Sequence, residues 1–254
     1  MKTDGEHAPE SAYVRDNYDA LLAKLPNGYT DFRWNDTDIS RFHYRQSRRA
    51  LLRALDRLPT GLGRALEVGG GAGAWTPFFA PRTSHLDFLD ISENMLAEAK
   101  KALVRFNNIR YLRADFLEWE PEPSAYDMVV SIRNIEYMKD KNAVFARISR
   151  ALRHGGMLVL STKSPDFDWK GYFDDKMLHG GQIPVGTLVA MLRENGFEIM
   201  RVYPAILGKL IRFAPMRAVW DGLQTLLLHV PQFCIPLFLL KYISESFLVV
   251  ARRI

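Results

Sequence analysis

The run RALEVGGGAGAWTPFF at residues 64–79 constrains this chain more than any other stretch. An apolar strand candidate ends in an acid, Glu67, and is followed by three consecutive glycines, Ala72 and a fourth glycine. A strand running into a backbone stripped of Cβ atoms lets a ligand approach the main chain closely, and a helix beginning there would offer its N-terminal N–H groups as well. The residues at 69–74, GGGAGA, satisfy G-x-G-x-x-G/A, and Asp90 lies 21 residues after Gly69, at the end of the next strand candidate. An acid in that place accepts hydrogen bonds from ribose hydroxyls. A nucleotide-like ligand is expected, and on these residues alone a nicotinamide dehydrogenase stays open.

The rest of the chain supplies the frame for such a loop. Strand candidates fall at Arg64 to Gly69, His85 to Asp90, Ile109 to Ala114, Tyr126 to Ile132 and Met157 to Thr162. All are short and nearly continuously apolar, as strands buried on both faces should be. Between them lie helix candidates from Ser92 to Val104, with Ser92 as N-cap, and from Asp140 to Arg153, ended by His154-Gly155-Gly156. This alternation predicts βαβ units and a parallel α/β sheet. A helix from Val185 to Asn195 and strands in FEIMRVYPA and ESFLVVARRI close the chain, the last two free to pair antiparallel at the sheet edge. The reading is of a single domain over 1–254, with an N-terminal helical cap at about 10–58 and an insertion at about 205–244.

Glu67, two residues before Gly69, makes the motif E-x-G-x-G-x-G, and a carboxylate beside the ligand suits a cation better than a pyrophosphate. Here the chain resembles the class I S-adenosylmethionine-dependent methyltransferases of the small-molecule type, over residues 60–204 and 246–254. The resemblance implies a Rossmann-like, seven-stranded, mostly parallel sheet with helices on both faces and an antiparallel last strand, and S-adenosylmethionine as cofactor. It further implies that Gly69, Gly71 and Gly73 face the methionine part and ribose, with Glu67 near the ammonium end. Asp90, followed by Ile91, would bind the ribose diol. Asp115 and Phe116, in RADFLEW, would meet the adenine. In SIRNIEYMKD many relatives carry Glu-His, whereas Glu136 here precedes Tyr137; the Asn-Pro-Pro or Asp-Pro-Pro element of base-amino methyltransferases is missing. Arg133 is placed to meet the cofactor carboxylate or an anionic substrate.

For the chemistry, His179 in DDKMLHGGQIPV and Tyr137 are the candidate proton acceptors, against plainer readings as a solvated loop histidine and a packed tyrosine. No spacing of His, Cys, Asp or Glu calls for a metal. One cysteine, Cys234, excludes a disulfide framework, and the first thirty residues lack a signal-peptide core, so a cytoplasmic protein is expected. The apolar run at 223–242 is broken by His229, Pro231, Gln232 and Pro236 and reads as buried or interfacial. Arg41, Arg45, Arg49, Arg53 and Arg57 recur every four residues, a stripe that would meet anionic lipid or phosphate unless it is a solvated face over a core helix. With a net charge of +5 these residues leave an RNA substrate as an alternative, though no RNA-binding module is evident. Tyr13, Tyr18, Trp34 and Tyr44 are candidates for an aromatic cap over the cofactor. The preferred acceptor is a hydrophobic, natural-product or lipid- or glycan-linked small molecule methylated on oxygen, reached in the cytoplasm or at the membrane periphery; nucleic acid is disfavoured, and a non-catalytic cofactor-binding module is the remaining alternative.

Overall fold

The structure, a computed structural model, describes residues 11–165, 181–208, 213–230 and 241–254. Three helices come first: α1 (Ser11–Leu22), α2 (Gly28–Trp34) and α3 (Asp38–Leu55). A seven-stranded sheet follows, made of β1 (Leu62–Val68), β2 (Thr83–Asp90), β3 (Ile109–Arg113), β4 (Tyr126–Ile132), β5 (Leu152–Lys163), β6 (Phe197–Leu207) and β7 (Ser244–Arg253). The connecting helices are α4 (Glu93–Ala102), α5 (Lys141–Ala151), α6 (Val185–Glu194) and α7 (Ala214–His229). The strand order is β3-β2-β1-β4-β5-β7-β6, with β7 antiparallel to both β5 and β6 and every other pairing parallel. The expected antiparallel pair is present, and β7 enters between β5 and β6 instead of adding itself outside them. The order reverses between β1 and β4, which opens a crevice at their carboxyl ends, where ligands bind in sheets of this kind.

Local sequence explains most of the boundaries. Ser92 caps α4 by accepting from the Met95 N–H at 3.0 Å, and Asp140 caps α5 through the Ala143 N–H at 2.8 Å. Thr37 and Ser40 exchange side-chain and backbone hydrogen bonds in a capping box that starts α3. One expected boundary is corrected. Helix α5 stops at Ala151, and His154-Gly155-Gly156 lies inside β5, where the pairing with β4 shifts register between Tyr126 and Met128. A Cβ on Gly156 would come within 2.8 Å of the Arg153 carbonyl, so the irregular pairing needs glycine there.

The inner strands of the sheet are buried on both faces, whereas the edge strand β3, expected to be buried as well, has no buried residue. On one side Leu66, Val129, Leu158 and Val249 pack with Phe145 and Ile148 of α5 and Leu188 and Leu192 of α6. On the other, Ala65, Val130, Val159 and Val250 meet Ala50, Leu51 and Leu55 of α3 and Leu228 of α7. Alternate residues of the same strands thus feed two cores, and this is why those strands read as continuous apolar runs.

The arginine stripe has an intramolecular role. Arg45 and Arg49 both reach Asp221 of α7, at 2.8 and 3.3 Å, and Arg49 also donates to Gln224. Arg53 donates to the Leu228 carbonyl, and Arg41 pairs with Asp38. The buried amides of Gln46 and Gln224 complete the joint: Gln46 accepts from the Leu207 N–H, and Gln224 donates to the carbonyls of Gln46, Pro204 and Ala205. These bonds lock α3 and α7 to β6. The segment read as an insertion therefore begins as an extension of β6 and carries α7 onto the core. Among the described residues, no helix is long and apolar enough to cross a membrane.

Candidate active site

Strand β1 ends at Val68, and the N–H groups of Gly69 and Gly70 turn to the Leu89 carbonyl of β2, at 2.8 and 3.3 Å. Gly71 lies in the left-handed region, at φ +57°, and a Cβ built on it would meet nothing within 4 Å. It faces the cavity, so its bare backbone is a cradle kept open for a ligand. Gly69 is needed for a different reason: a Cβ there would overlap the Asn134 side chain at 2.1 Å. Gly73 is absent from the cavity lining and instead lets Leu103 pack closely, since its Cβ would fall 2.7 Å from that side chain. The helix expected directly after the loop does not form. Two short 3-10 turns, Thr76–Phe78 and Ala80–Arg82, stand in its place, because Pro77 and Pro81 each remove an N–H from the ladder. Loop N–H groups, and not the terminus of a helix following directly on β1, are what the glycine loop offers.

Asp90 closes the far side. Its Oδ2 accepts from the Gly71 N–H at 2.8 Å and its Oδ1 from the Ser92 N–H at 2.9 Å, which hold the carboxylate rigidly at the cavity wall. Burial, at 7% exposure, pushes its carboxyl up to about 6, while the Ser92 and Gly71 N–H groups pull the other way. Ile91, Asp115 and Phe116 line the same cavity, and Asp115 is steadied by the Leu117 N–H at 2.9 Å. Acids at the ends of β2 and β3 thus flank an apolar slot containing Leu89, Met95 and Phe116. An open glycine, an anchored acid and that slot fit a nucleoside bearing a short polar chain.

Glu67 takes up a position the sequence reading did not foresee. It does not line the cavity; it is 2% exposed beneath the loop, where Thr76 Oγ1 donates to it at 2.8 Å. Burial pushes its carboxyl up to about 8. Held beneath the loop by Thr76, the carboxyl lies outside the cavity lining, and its burial disfavours the charged form. Its folded-state value stands above the unfolded one, so its contribution to stability is complete below about pH 4.5 and is lost as the pH rises towards 8. Glu67→Gln, which keeps an acceptor for Thr76, is expected to raise the melting temperature at pH 8 and leave it nearly unchanged at pH 4.5. Equal shifts at both pH values in thermal unfolding would refute the buried, protonated carboxyl.

Arg133 sits just past β4 at φ +59°, a strained conformation for a side-chain-bearing residue and one found preferentially at functional sites. Its N–H reaches the Ser161 carbonyl at 2.8 Å, and Nε donates to Glu136 at 3.0 Å. The residue lines the cavity with its guanidinium already paired. Tyr137 also lines the cavity, edge-on to Tyr18 at 5.7 Å, and Tyr18 is in turn edge-on to Tyr29. Burial pushes the Tyr137 hydroxyl further from ionisation. His179 lies outside the described residues. Of the expected aromatic cap, Tyr18 and Trp34 face the cavity, Tyr44 packs behind Trp34 and Trp75, and Tyr13 is exposed. Tyr29, Arg33, Trp75 and Asn134 join the lining without having been singled out, although Trp75 lies inside the glycine run and Asn134 inside SIRNIEYMKD, next to Arg133. Among the described residues, no group of His, Cys, Asp or Glu is arranged to hold a metal.

Residues 65–156 match a family described as a methyltransferase domain. That match covers a little over a third of the chain, and the fold around it is the Rossmann-like fold of the methyltransferases. The matched stretch runs from β1 into β5, so the domain holds the glycine loop, Asp90, Asp115 and Arg133. Malonyl-[acyl-carrier protein] O-methyltransferase 1 of Ilyobacter polytropus is 32% identical over 111 residues, 43% of this chain and 40% of that protein. Trans-aconitate 2-methyltransferase of Acidovorax sp. is 33% identical over 103 residues, 40% of this chain and 38% of that one. The chain thus spans about two fifths of the length of such relatives. N-methyltransferase NodS of Bradyrhizobium japonicum, solved with S-adenosyl-L-homocysteine, superposes with a TM-score of 0.61 at 16% identity, covering 93% of this chain and 97% of that one. The shared fold includes the antiparallel last strand of the methyltransferase domain.

Proposed function

We propose that the protein is an S-adenosylmethionine-dependent methyltransferase acting on a small-molecule acceptor, with oxygen as the preferred target atom. The observation that carries this reading is the cavity bounded by the open backbone of Gly71 and the anchored carboxylate of Asp90, at the carboxyl ends of β1 and β2 inside a methyltransferase domain. When bound, S-adenosylmethionine supplies a methyl group on a sulfonium, an electrophile that needs no further activation. The chain's own work is then to bind, orient and exclude water. Asp90 is set to accept from the ribose hydroxyls, Asp115 and the Phe116 backbone to hold the adenine, and Gly69 and Gly71 to let the amino-acid arm lie against the main chain. Tyr18 and Trp34 of the N-terminal helices and Tyr137 of the turn after β4 line the cavity and would keep water from the reacting centre.

The acceptor is proposed to be at least partly apolar. Phe213, Val219 and Leu226 of the α7 segment and Tyr242 beyond it are exposed, which favours a greasy or membrane-borne acceptor and peripheral contact with lipid. Three of the five arginines that would have favoured RNA, Arg41, Arg45 and Arg49, are engaged by Asp38, Asp221 and Gln224. The test is to incubate the purified protein with methyl-labelled S-adenosylmethionine and a cell extract, then count label in lipid, small-molecule, protein and RNA fractions. Label in the organic or small-molecule fraction is expected. Label confined to RNA would reverse the assignment, and cofactor binding without transfer to any fraction would favour a non-catalytic module.

A further inference from the structure

A second group of charges lies beside the cofactor cavity and is not used by the mechanism above. Lys163, at the end of β5, is buried and pairs with Glu245 of β7 at 3.1 Å. His43 of α3, its side chain 13% exposed, points Nε2 at the other oxygen of Glu245 from 3.6 Å, too far for a hydrogen bond, and that buried nitrogen has no hydrogen-bond partner among the described residues. Arg133 and Arg33 act on both His43 and Lys163 through space, and both arginines line the cavity. Arg33 has no ion pair among the described residues; its guanidinium lies over the Trp34 ring at 4.3 Å. Five elements, α2, α3, β5, β7 and the turn after β4, therefore converge on one spot.

Among the described residues, Arg133 is paired with Glu136 and Lys163 with Glu245, whereas Arg33 has no ion pair. Burial first, and then the field of Arg33, Lys163 and Arg133, holds the His43 imidazole neutral, down at about 4, against the attraction of Glu245. The unpartnered buried nitrogen of His43 costs free energy without a ligand, and an anion accepting from it would also give the half-buried Arg33 guanidinium an ion pair. Position then decides between cofactor and acceptor. The glycine loop follows β1, whereas Lys163 ends β5, two strands away, or roughly 10 Å at ordinary strand spacing. Lys163 thus lies on the far side of Arg133 from the cofactor loop.

We propose that Arg33 and Arg133, backed by Lys163 and the Nε2 of His43, form a subsite for an anionic group, a carboxylate or a phosphate, carried by the methyl acceptor. This assignment rests on the methyltransferase reading and narrows its acceptor to one that combines an apolar body with an acid.

The test uses full-length protein saturated with S-adenosylhomocysteine and titrated calorimetrically with malonate and, separately, inorganic phosphate. Binding of at least one is expected, and whichever binds names the anion. Arg33→Gln should weaken that anion about tenfold or more, the loss of one charge-assisted contact, while leaving the affinity for S-adenosylhomocysteine unchanged. In the wild type, the anion should also raise the pH at which the His43 ring titrates by NMR, a readout that a purely structural arginine would not move. Failure of both anions to bind the loaded wild type overturns the subsite. So does an Arg33→Gln variant that loses S-adenosylhomocysteine but keeps 5′-methylthioadenosine, since the guanidinium would then serve the cofactor's own carboxylate. If the wild type binds neither nucleoside, the methyltransferase reading itself fails, and the subsite falls with it.

Discussion

Asp90→Ala is expected to lower the affinity for S-adenosylhomocysteine by about a hundredfold or more. The carboxylate is held by the Gly71 and Ser92 N–H groups at 2.8 and 2.9 Å, so its remaining lone pairs point in fixed directions into the cavity. Each hydrogen bond from a ribose hydroxyl to a charged acceptor contributes about 1.5–3 kcal/mol, and two of them account for a loss of that size. Loop order would suffer as well, because Gly71 loses its anchor. The carboxyl titrates near 6, so wild-type affinity should weaken as the pH falls through that value, whereas Asp90→Asn should bind weakly without this dependence. Calorimetry at pH 5.5 and 7.5, with the ligand-free melting temperature as a check on folding, decides the matter. Unchanged affinity in a folded Asp90→Ala protein would remove the ribose from this position.

The second large effect concerns stability. Asp87 is wholly buried in β2, and its carboxylate accepts from Arg110 at 2.6 and 3.0 Å, from Tyr126 Oη at 2.7 Å and from Arg64 at 2.8 and 3.1 Å. The donors come from β3, β4 and β1, so one side chain ties four neighbouring strands. Asp87→Ala should cost about 3 kcal/mol, the lower part of the range for breaking a buried pair, because Arg64 and Arg110 are partly exposed and can regain water whereas Tyr126 cannot. At this chain length that corresponds to a fall of roughly 10 °C in melting temperature. Burial opposes ionisation of Asp87, yet the bonds from Arg110, Tyr126 and Arg64 outweigh it and hold the carboxyl below its ordinary value. Its contribution is therefore present above about pH 4 and lost as the pH falls through the folded value, so the variant should lack part of the wild type's acid unfolding limb. A melting temperature within about 2 °C of wild type at pH 7 would show that the strands do not depend on this node.

The parts of the fold visible beforehand were those governed by short-range rules. Strands buried on both faces appear as apolar runs whatever they pair with, and Ser92 caps a helix through a bond three residues away. The acids that line the cavity, Asp90 and Asp115, were legible because strand ends place them there. Where a local signal was overruled or overlooked, the cause is equally specific. Pro77 and Pro81 stood in the open to deny a helix after the glycine loop. His154-Gly155-Gly156 has the composition of a helix stop, but pairing with β4 drew it into a strand. The arginines of α3 show a basic stripe at helical spacing, yet Asp221, more than 170 residues away, determines what Arg45 and Arg49 touch.

By itself, the sequence determined the alternating α/β frame, the bare-backbone loop after β1 and the row of acids at the carboxyl ends of the strands, because each depends on contacts within a few residues or on the two-faced burial of a strand. The tertiary structure alone decided that Glu67 is buried beneath the loop against Thr76, that β7 slots between β5 and β6, and that His43, Lys163 and Glu245 meet beside Arg33 and Arg133. Desolvation and Coulomb interaction act across space, and residues 43, 163 and 245 become neighbours only once the chain has folded.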